Sequence, residues 1–329
     1  MHICAKSSIF AVANGNYMYS KTKKIGIFDS GYGGLTILRE IRKVLPGYDY
    51  LYLGDNARAP YGTHSFDVIY RYTLQAVRYL LEHECALVIL ACNTASAKAL
   101  RTIQQRDLPL INARMTNDQM ANDQMVNVLG IIRPTVEAVP ALTQTGHVGI
   151  LATPATVSSE SYVLELQKVQ NDHVPCAKEL VVTQQSCPLW VPLIENGEHT
   201  RPGADYFVDQ YLRQILEKDP LIDTLVLGCT HYPLLKGKID KWFENRKNPN
   251  ISDTSEDFRT HPGIRIVEQG TLVASSLEDY LSRHPEYRSQ LSQGGTCTYL
   301  TTENADRFAQ SASQFIGEKI SAKSILLTE

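Results

Sequence analysis

Short apolar segments alternate with longer amphipathic segments along the chain. The short segments are apolar at almost every position, a pattern typical of strands that are buried on both faces of a sheet. They predict strands at 25–28, 50–53, 87–90, 148–151, 180–182, 225–227 and 264–267. The longer segments have apolar residues three and four positions apart. They predict helices at 35–45, 69–83 and 205–218.

Alternating strands and helices predict an α/β fold with parallel sheets. The order of segments also repeats weakly, because "IGIFDSG" followed by "LVILACNTAS" resembles "VGILATPAT" followed by "TLVLGCTHYP". We therefore predict two similar doubly wound parallel-sheet domains. Ligands of such sheets bind at the carboxyl ends of the strands, so we expect the active site in the cleft between the two domains.

The predicted first domain is discontinuous along the chain. It comprises residues 24–113 and 234–329, the second domain comprises 114–233, and residues 1–23 form an N-terminal extension before the ordered pattern begins. Two polar, turn-rich segments are predicted to be surface insertions without chemistry of their own. They are the NDQM repeat at 116–127 and the stretch 244–263.

Composition narrows the class of function. The chain has 329 residues, enough for more than one core, and its formal net charge of -3 gives no basic face for a nucleic acid or an anionic membrane. Seven cysteines without CxxC spacing argue against a disulfide framework. No apolar run approaches the roughly 20 residues of a membrane-spanning helix. We expect a cytoplasmic protein with reduced thiols.

Two of the cysteines follow predicted strands at equivalent places. Cys92 comes directly after "VILA", and Cys229 comes directly after "LVLG". A thiol at a strand-to-helix turn lies near the unpaired amides of a helix N-terminus, which favour the thiolate. One thiol from each domain would supply an acid on one face of a carbon atom and a base on the other. This arrangement indicates stereoinversion by proton transfer.

Two further residues are candidates to assist the thiols. His231 lies two positions after Cys229, where an imidazolium would favour the thiolate and an imidazole would orient the thiol. Asp29 begins the turn "DSGYGG", where its carboxylate could pair with Cys92 or with a substrate ammonium group. The alternatives are a buried structural histidine and a carboxylate that only stabilises a turn.

Two other chemistries fit the pattern less well. The run from strand through "GYGG" to helix imitates a dinucleotide-binding motif, but Thr36 occupies the third glycine position and Asp29 would repel a pyrophosphate. Cys92, Cys229 and His231 match the Cys2His ligand set of some zinc sites, but thiolates bound to a metal could not carry protons. We therefore expect neither a cofactor nor a metal.

Five motifs resemble those of the glutamate racemases, a family within the aspartate/glutamate racemase superfamily. They occur in the family's order and are "FDSGYGGLTILREI", "GDNARAPYG", "ACNTASA", "CPLWVPLIENGE" and "GCTHYPLL". The similarity extends from about residue 24 to "TTENADRFAQSASQFIG" near the end of the chain, interrupted by the two insertions.

The resemblance implies a cofactor-independent enzyme that interconverts L- and D-glutamate and supplies D-glutamate for peptidoglycan. By resemblance, one of Cys92 and Cys229 removes the α-proton and the other returns a proton to the opposite face. Asp29 and His231 match residues that assist the thiols, and Glu195 matches a carboxylate that supports the Cys229 side. Asp29 and His231 also belong to the residues matched to substrate binding, together with Ser30, Tyr61, Gly62, Asn93, Thr94, Thr153, Thr156 and Thr230. We expect glutamate as the partner molecule and a homodimer.

The chain departs from the family pattern at two places. Arg133 stands where many relatives carry an acid, and "VEQG" at 267–270 replaces a turn made of an acid and a small residue. We expect these departures to affect the hinge, the interface or regulation rather than the reaction.

Two alternative functions stay open. One is racemisation of aspartate or another amino acid, and the other is a thiol hydrolase with a Cys-His pair, which needs only one cysteine.

Overall fold

The computed structural model describes residues 23–117, 125–171, 179–246 and 263–327. Nearly all of the N-terminal extension, most of the NDQM repeat and most of the segment 244–263 lie outside these residues. The predictions for these three segments therefore stay predictions.

The described elements alternate between strands and helices. The strands are β1 Lys24–Asp29, β2 Tyr50–Gly54, β3 Cys85–Leu90, β4 Asn127–Gly130, β5 His147–Ala152, β6 Val181–Ser186, β7 Thr224–Gly228, β8 Arg265–Val267, β9 Cys297–Thr301 and β10 Ala322–Ser324. The helices are α1 Gly34–Val44, α2 Phe66–Glu82, α3 Asn93–Lys98, α4 Leu100–Thr102, α5 Leu108–Asn117, α6 Ile132–Leu142, α7 Pro154–Ser158, α8 Ser161–Asn171, α9 Trp190–Glu195, α10 Gly203–Lys218, α11 Lys236–Arg246, α12 Gln269–Arg283, α13 Pro285–Arg288 and α14 Ala305–Ile316. A π-helical turn at Ile103–Asp107 joins α4 to α5.

In the part of the chain that the structure describes, the strands form two parallel sheets. The larger has the order β10-β9-β2-β1-β3-β4, and the smaller has the order β6-β5-β7-β8. Their strand pairings are parallel in both sheets. The predicted α/β fold with two parallel sheets is therefore confirmed, and every strand and helix predicted from the apolar pattern is present.

The strand order reverses beside each cysteine turn. In the larger sheet β1 lies between β2 and β3, so the chain crosses from one side of β1 to the other. In the smaller sheet β5 lies between β6 and β7 in the same way. Ser30 and Cys92 follow β1 and β3, and Thr153 and Cys229 follow β5 and β7. Ligands of open α/β sheets bind where the order reverses, so each sheet directs one cysteine to such a position.

Two strands lie in the opposite sheet from the one that the predicted domain boundaries suggest. β4 pairs with β3 of the larger sheet, and β8 pairs with β7 of the smaller sheet. Both cover the free edge of a strand that would otherwise expose unpaired backbone groups. The crossings between the sheets therefore come later in the chain than residues 114 and 234, and the division into two domains stays a prediction.

Helix α1 holds the first turn of the site against the sheet. Leu35, Leu38 and Ile41 are spaced three apart and are fully buried where α1 packs against α12 and α14. Burial of each such side chain contributes about 1.5–3 kcal/mol. In the turn before α1, Tyr32 stacks on Phe308 and Phe315 of α14, with ring centroids 5.4 and 5.7 Å apart. These contacts hold the turn after β1 in place.

Candidate active site

A small cavity lies where the carboxyl ends of the two sheets meet. Its volume is about 50 Å³, and both Cys92 and Cys229 line it. The other predicted residues in its wall are Ser30, Tyr61, Gly62, Asn93, Thr94, Thr153, Glu195, Thr230 and His231. Asp29 and Thr156 lie behind this wall and are buried. The structure therefore brings the predicted site residues of both sheets together.

Six residues of the cavity wall were not predicted from the sequence. They are Pro60, Thr63, Pro154, Pro188, Val191 and Pro192. Five of the six have apolar side chains without acid-base chemistry, so residue type gave no signal for them. For three of them the position beside a predicted residue was the available signal, since Pro60 and Thr63 flank Tyr61 and Gly62 and Pro154 follows Thr153. An apolar wall strengthens electrostatic interactions inside the cavity.

Cys92 caps the N-terminus of α3. Its Sγ accepts a hydrogen bond from the backbone N–H of Ala95 at 3.5 Å and lies 3.3 Å from Oγ of Ser30. Burial and the nearby charge of Asp29 raise the pKa of Cys92 to about 12, although the hydrogen bonds from Ser30 and Ala95 oppose this shift. Cys92 is therefore held as a protonated thiol, the form that donates a proton.

Asp29 ends β1 and interacts electrostatically with Cys92. Its Oδ2 accepts a hydrogen bond from the N–H of Gly31 at 2.9 Å, whereas no described group bonds Oδ1. Burial raises the pKa of Asp29, against the lowering effects of the His231 charge and of the amides of Gly34 and Gly31. A buried carboxylate oxygen without a partner near a thiol can accept a proton.

Cys229, His231 and Glu195 form a relay on the opposite side of the cavity. Sγ of Cys229 lies 3.8 Å from Nδ1 of His231, and Nε2 of His231 lies 2.9 Å from Oε1 of Glu195. Burial lowers the pKa of His231, but hydrogen bonds and charge interactions with Cys229 and Glu195 outweigh burial and raise that pKa well above its ordinary value. A positively charged imidazolium therefore lies beside Cys229, whereas the carboxylate of Asp29 lies near Cys92, so the two thiols have different surroundings.

The glycines of the turn after β1 allow the two halves of the site to approach closely. A Cβ at Gly33 would lie 2.4 Å from Nδ1 of His231 and 2.4 Å from Oγ1 of Thr230. Oγ1 of Thr36, the residue at the third position of the supposed dinucleotide motif, donates to the carbonyl of Thr230 at 3.0 Å. The "GYGG" segment therefore makes room for the Cys229 turn, and this packing accounts for its glycines.

Three threonine hydroxyls connect the two sheets across the cavity wall. Oγ1 of Thr94 lies 2.9 Å from Oγ1 of Thr153 and 3.4 Å from that of Thr156, and Thr153 and Thr156 are 3.0 Å apart. Gly62 approaches the same group, because a Cβ there would lie 2.9 Å from Cβ of Thr153. Hydroxyls donate and accept, so these groups can rearrange toward a bound molecule.

Tyr61 and Asn93 line the cavity, but their polar groups already have partners outside it. The Tyr61 hydroxyl donates to Oδ2 of Asp55 at 2.5 Å. The amide of Asn93 donates to Gln269 at 2.6 Å and accepts from the Tyr162 hydroxyl at 2.7 Å. Gln269 and Tyr162 were not predicted from the sequence, since nothing in the local pattern shows that either lies behind Asn93.

A larger cavity of about 650 Å³ lies between α3, α6, α8 and α12. It contains neither cysteine and none of the predicted site residues, so its size does not make it the candidate active site. Among the residues that the structure describes, no three His, Cys, Asp or Glu side chains are grouped closely enough to hold a metal ion. The cysteines within the described ranges, which are Cys85, Cys92, Cys187, Cys229 and Cys297, are unpaired.

None of the described helices is both long enough and apolar enough to cross a lipid bilayer.

The proteins to which this chain is similar agree with the site geometry. The sequence profile of the Asp/Glu/Hydantoin racemase family matches residues 35–252. A glutamate racemase from Ruegeria sp. (strain TM1040) is 36% identical over 306 residues, which cover 90% of this chain and 97% of the relative.

Two solved structures have the same fold. Glutamate racemase isoform RacE1 from Bacillus anthracis superposes with a TM-score of 0.74 and 28% identity, covering 94% of this chain and 99% of that one. Glutamate racemase from Francisella tularensis, solved in complex with D-glutamate, gives a TM-score of 0.73 and 26% identity with the same coverage. With both thiols in one cavity and a family match over most of its length, the chain belongs to the Asp/Glu/Hydantoin racemase family.

Proposed function

We propose that this protein is a glutamate racemase in which one of Cys92 and Cys229 removes the α-proton of glutamate and the other donates a proton to the opposite face, and that it supplies D-glutamate for peptidoglycan. The observation that carries the proposal is the convergence of two thiols from two separate sheets on one cavity. Their unequal surroundings support it, because Cys92 is held as a thiol while Cys229 faces a protonated His231. A base and an acid on opposite faces of a carbon atom are the requirement for stereoinversion.

In the proposed reaction one thiolate accepts the α-proton, so the Cα–H bond breaks and an S–H bond forms. The electron pair left on Cα is delocalised into the α-carboxylate. The opposite thiol then donates its proton to the other face of Cα and becomes the thiolate. Cys229 beside His231 provides the thiolate for one direction, and Asp29 beside Cys92 assists the reverse direction by accepting a proton. Proton exchange with solvent resets the two thiols.

The difficult step is the formation of negative charge beside a carboxylate. Preorganised hydrogen-bond donors aimed at that charge lower the barrier. We assign this role to the hydroxyls of Ser30, Thr94, Thr153 and Thr230 and to the backbone amide of Asn93, with Thr156 holding Thr153 from behind. The ring of Tyr61 and the backbone of Gly62 close the wall beside them.

Substrate entry requires the site to open. A cavity of about 50 Å³ has space for a few water molecules, since roughly 10–15 Å³ holds one, but glutamate is larger. We propose that the two sheets separate to admit glutamate and then close around it. Closure would exclude water and bring both thiols against Cα.

No cofactor is needed in this mechanism, because one thiolate removes the proton from Cα and the other thiol supplies a proton to Cα. We further propose that the protein is a cytoplasmic homodimer and that each chain has two domains. The first domain comprises residues 24–113 together with 234–329, and the second comprises residues 114–233. The unpaired cysteines of the described residues support a reducing compartment. The homodimer follows from the resemblance, and light scattering after size-exclusion chromatography tests it, since a mass of one chain at all concentrations would reject it.

A thiol hydrolase is the second candidate, and one observation favours it. Cys229, His231 and Glu195 lie in the order of a nucleophile, a base and an orienting carboxylate. A hydrolase of this kind needs Cys229 but has no use for Cys92. Hydrolysis of an amide or ester by the Cys92→Ser variant at the wild-type rate would therefore favour the hydrolase.

Proton NMR of L-glutamate with metal-free and cofactor-free protein in heavy water tests the proposal. We expect the α-proton signal to disappear while chiral analysis detects D-glutamate. Exchange with aspartate alone would keep the reaction and change the substrate. If no amino acid exchanges, racemisation is rejected.

A further inference from the structure

A ring of three hydrogen bonds lies behind the cavity wall and joins distant parts of the chain. Nδ2 of Asn93 donates to Oε1 of Gln269 at 2.6 Å, and Nε2 of Gln269 donates to the Tyr162 hydroxyl at 3.0 Å. The Tyr162 hydroxyl donates in turn to Oδ1 of Asn93 at 2.7 Å. Asn93 and Gln269 are 2% exposed and Tyr162 is 0% exposed, so water does not compete for these bonds.

The ring contacts both cysteine turns. Asn93 follows Cys92 in the chain and begins α3, the helix that Cys92 caps. Tyr162 packs on Gly228, the residue before Cys229, because a Cβ at Gly228 would lie 3.2 Å from Cε2 of Tyr162. The ring therefore lies between the two backbone segments that carry the thiols.

Gln269 completes the ring from a third element. It begins α12, which packs against α1 and α6, and its Nε2 also donates to Oγ1 of Thr135 on α6 at 2.9 Å. Without the Gln269 amide, Asn93 and Tyr162 would each lose a buried hydrogen-bond partner, which costs about 1–3 kcal/mol per group. The side chain of Asn93 would then be free to adopt another rotamer, and the first turn of α3 could shift with it.

We propose that Gln269 is a positioning residue for racemisation. Gln269 holds Asn93, and Asn93 holds the Cys92 turn. The distance between the Cys92 and Cys229 turns is thereby kept at the value that proton transfer on both faces of one carbon atom requires. Gln269 belongs to the "VEQG" segment, one of the two departures from the family pattern. We expected that segment to affect the hinge, the interface or regulation, but its Gln269 connects directly to the site. The inference rests on the proposed function, and a displacement of about 1 Å can cost roughly 100-fold in rate.

The test replaces Gln269 with a residue of similar length that makes no such hydrogen bonds. In Gln269→Met we expect kcat to fall about ten- to 100-fold, with KM within about twofold because Gln269 does not line the cavity. Tyr162→Phe removes one hydroxyl from the ring and should lower kcat in the same direction. Outside the ring, Nε2 of Gln269 donates to Oγ1 of Thr135 at 2.9 Å and to the carbonyl of Ile131 at 3.4 Å. Thr135→Val removes the first of these bonds, leaves the ring intact and should leave kcat within about twofold of wild type, as a matched control.

Isotope effects separate positioning from a simple loss of folded protein. Displacement of Cys92 slows the proton transfers at Cys92 only. With α-deuterated glutamate, the isotope effect on kcat/KM should therefore rise for the enantiomer from which Cys92 removes the deuteron and fall for the other. A smaller folded fraction changes neither value. Unchanged kcat or unchanged isotope effects in Gln269→Met would overturn the inference, whereas a wild-type protein that does not racemise glutamate would overturn the proposed function itself.

Discussion

Glu195 and His231 are joined by a 2.9 Å contact between Oε1 and Nε2, while the other ring nitrogen of His231 faces Cys229. His231 lies on the Cys229 turn, and Glu195 ends α9, so two elements must meet to place the charge. The ring of Phe315 packs edge-on against the imidazole, with ring centroids 5.5 Å apart. The histidine can therefore keep its proton in a buried place.

Glu195→Gln should move the alkaline loss of activity to lower pH. A raised pKa means that His231 keeps its proton to higher pH in the wild type, and removal of the carboxylate lowers that pKa again. We expect kcat near pH 8 to fall about tenfold, since a hydrogen bond to a charged group contributes about 1.5–3 kcal/mol. The pH dependence of kcat is the measurement. Glu198→Gln removes the same charge from an exposed neighbour and should leave the profile unchanged; identical profiles for the two variants would contradict the relay.

Cys92→Ser and Cys229→Ser should each lower racemisation by about 10²–10⁴-fold, the usual contribution of a positioned acid or base. A serine hydroxyl is too weak an acid at neutral pH to replace the thiol. Chiral chromatography of glutamate gives the rates, and circular dichroism checks the fold. Cys297→Ser is the control, because Cys297 lies on β9 outside the cavity. Near wild-type rates in either of the first two variants would reject the two-thiol mechanism.

Asp29→Asn should make the protein more stable and less active. The pKa of Asp29 in the folded protein is raised, so the group contributes stability below its unfolded pKa of roughly 4 and loses it as pH rises through the folded pKa. At pH 7 the buried charge is therefore unfavourable, and its removal should raise the melting temperature by about 2 °C or more. The gain should disappear near pH 3. A lower melting temperature at pH 7 would show that the charge is compensated in the fold.

Gly33→Ala should abolish most activity and destabilise the protein by about 1–3 kcal/mol, the usual cost of overpacking. The added Cβ would occupy the space of His231 and Thr230 at 2.4 Å and displace the Cys229 turn. Gly47→Ala is the matched control, since a Cβ there meets nothing within 4 Å. Urea unfolding and racemisation rates of the two variants give the comparison. Equal behaviour of the pair would mean that the turn after β1 adjusts freely.

Most strands of the two sheets could be predicted because they contain runs of apolar residues, and all four strands of the smaller sheet were among them. β9 did not give that signal because threonines interrupt its apolar residues in "CTYLT". β10 did not give it because it contains only Ala322, Lys323 and Ser324 and lies at the sheet edge with two of the three residues exposed. β4 was missed because it is short and only one of its residues is fully buried. Sheet membership could not be derived either, because parallel pairing joins residues that no local pattern relates.

The cysteines could be found from the sequence for a general reason. The carboxyl ends of parallel strands meet at one edge, so polar residues directly after apolar runs converge whatever the details of packing. Gln269 shows the limit of this reasoning. Its amide meets Asn93 over a separation of 176 residues, and only the path of α12 across α1 and α6 brings the two together.

The volume between Cys92 and Cys229 also determines how this enzyme can be inhibited. Sites that hold drug-sized molecules measure roughly 300–1,000 Å³, far more than the cavity of about 50 Å³. A competitive inhibitor must therefore either be small enough for the two sheets to close around it, as proposed for glutamate, or bind an arrangement in which the two sheets stay apart. An inhibitor of the second kind would keep the two sheets separated, and its affinity would be lowered by the free energy needed to hold them apart.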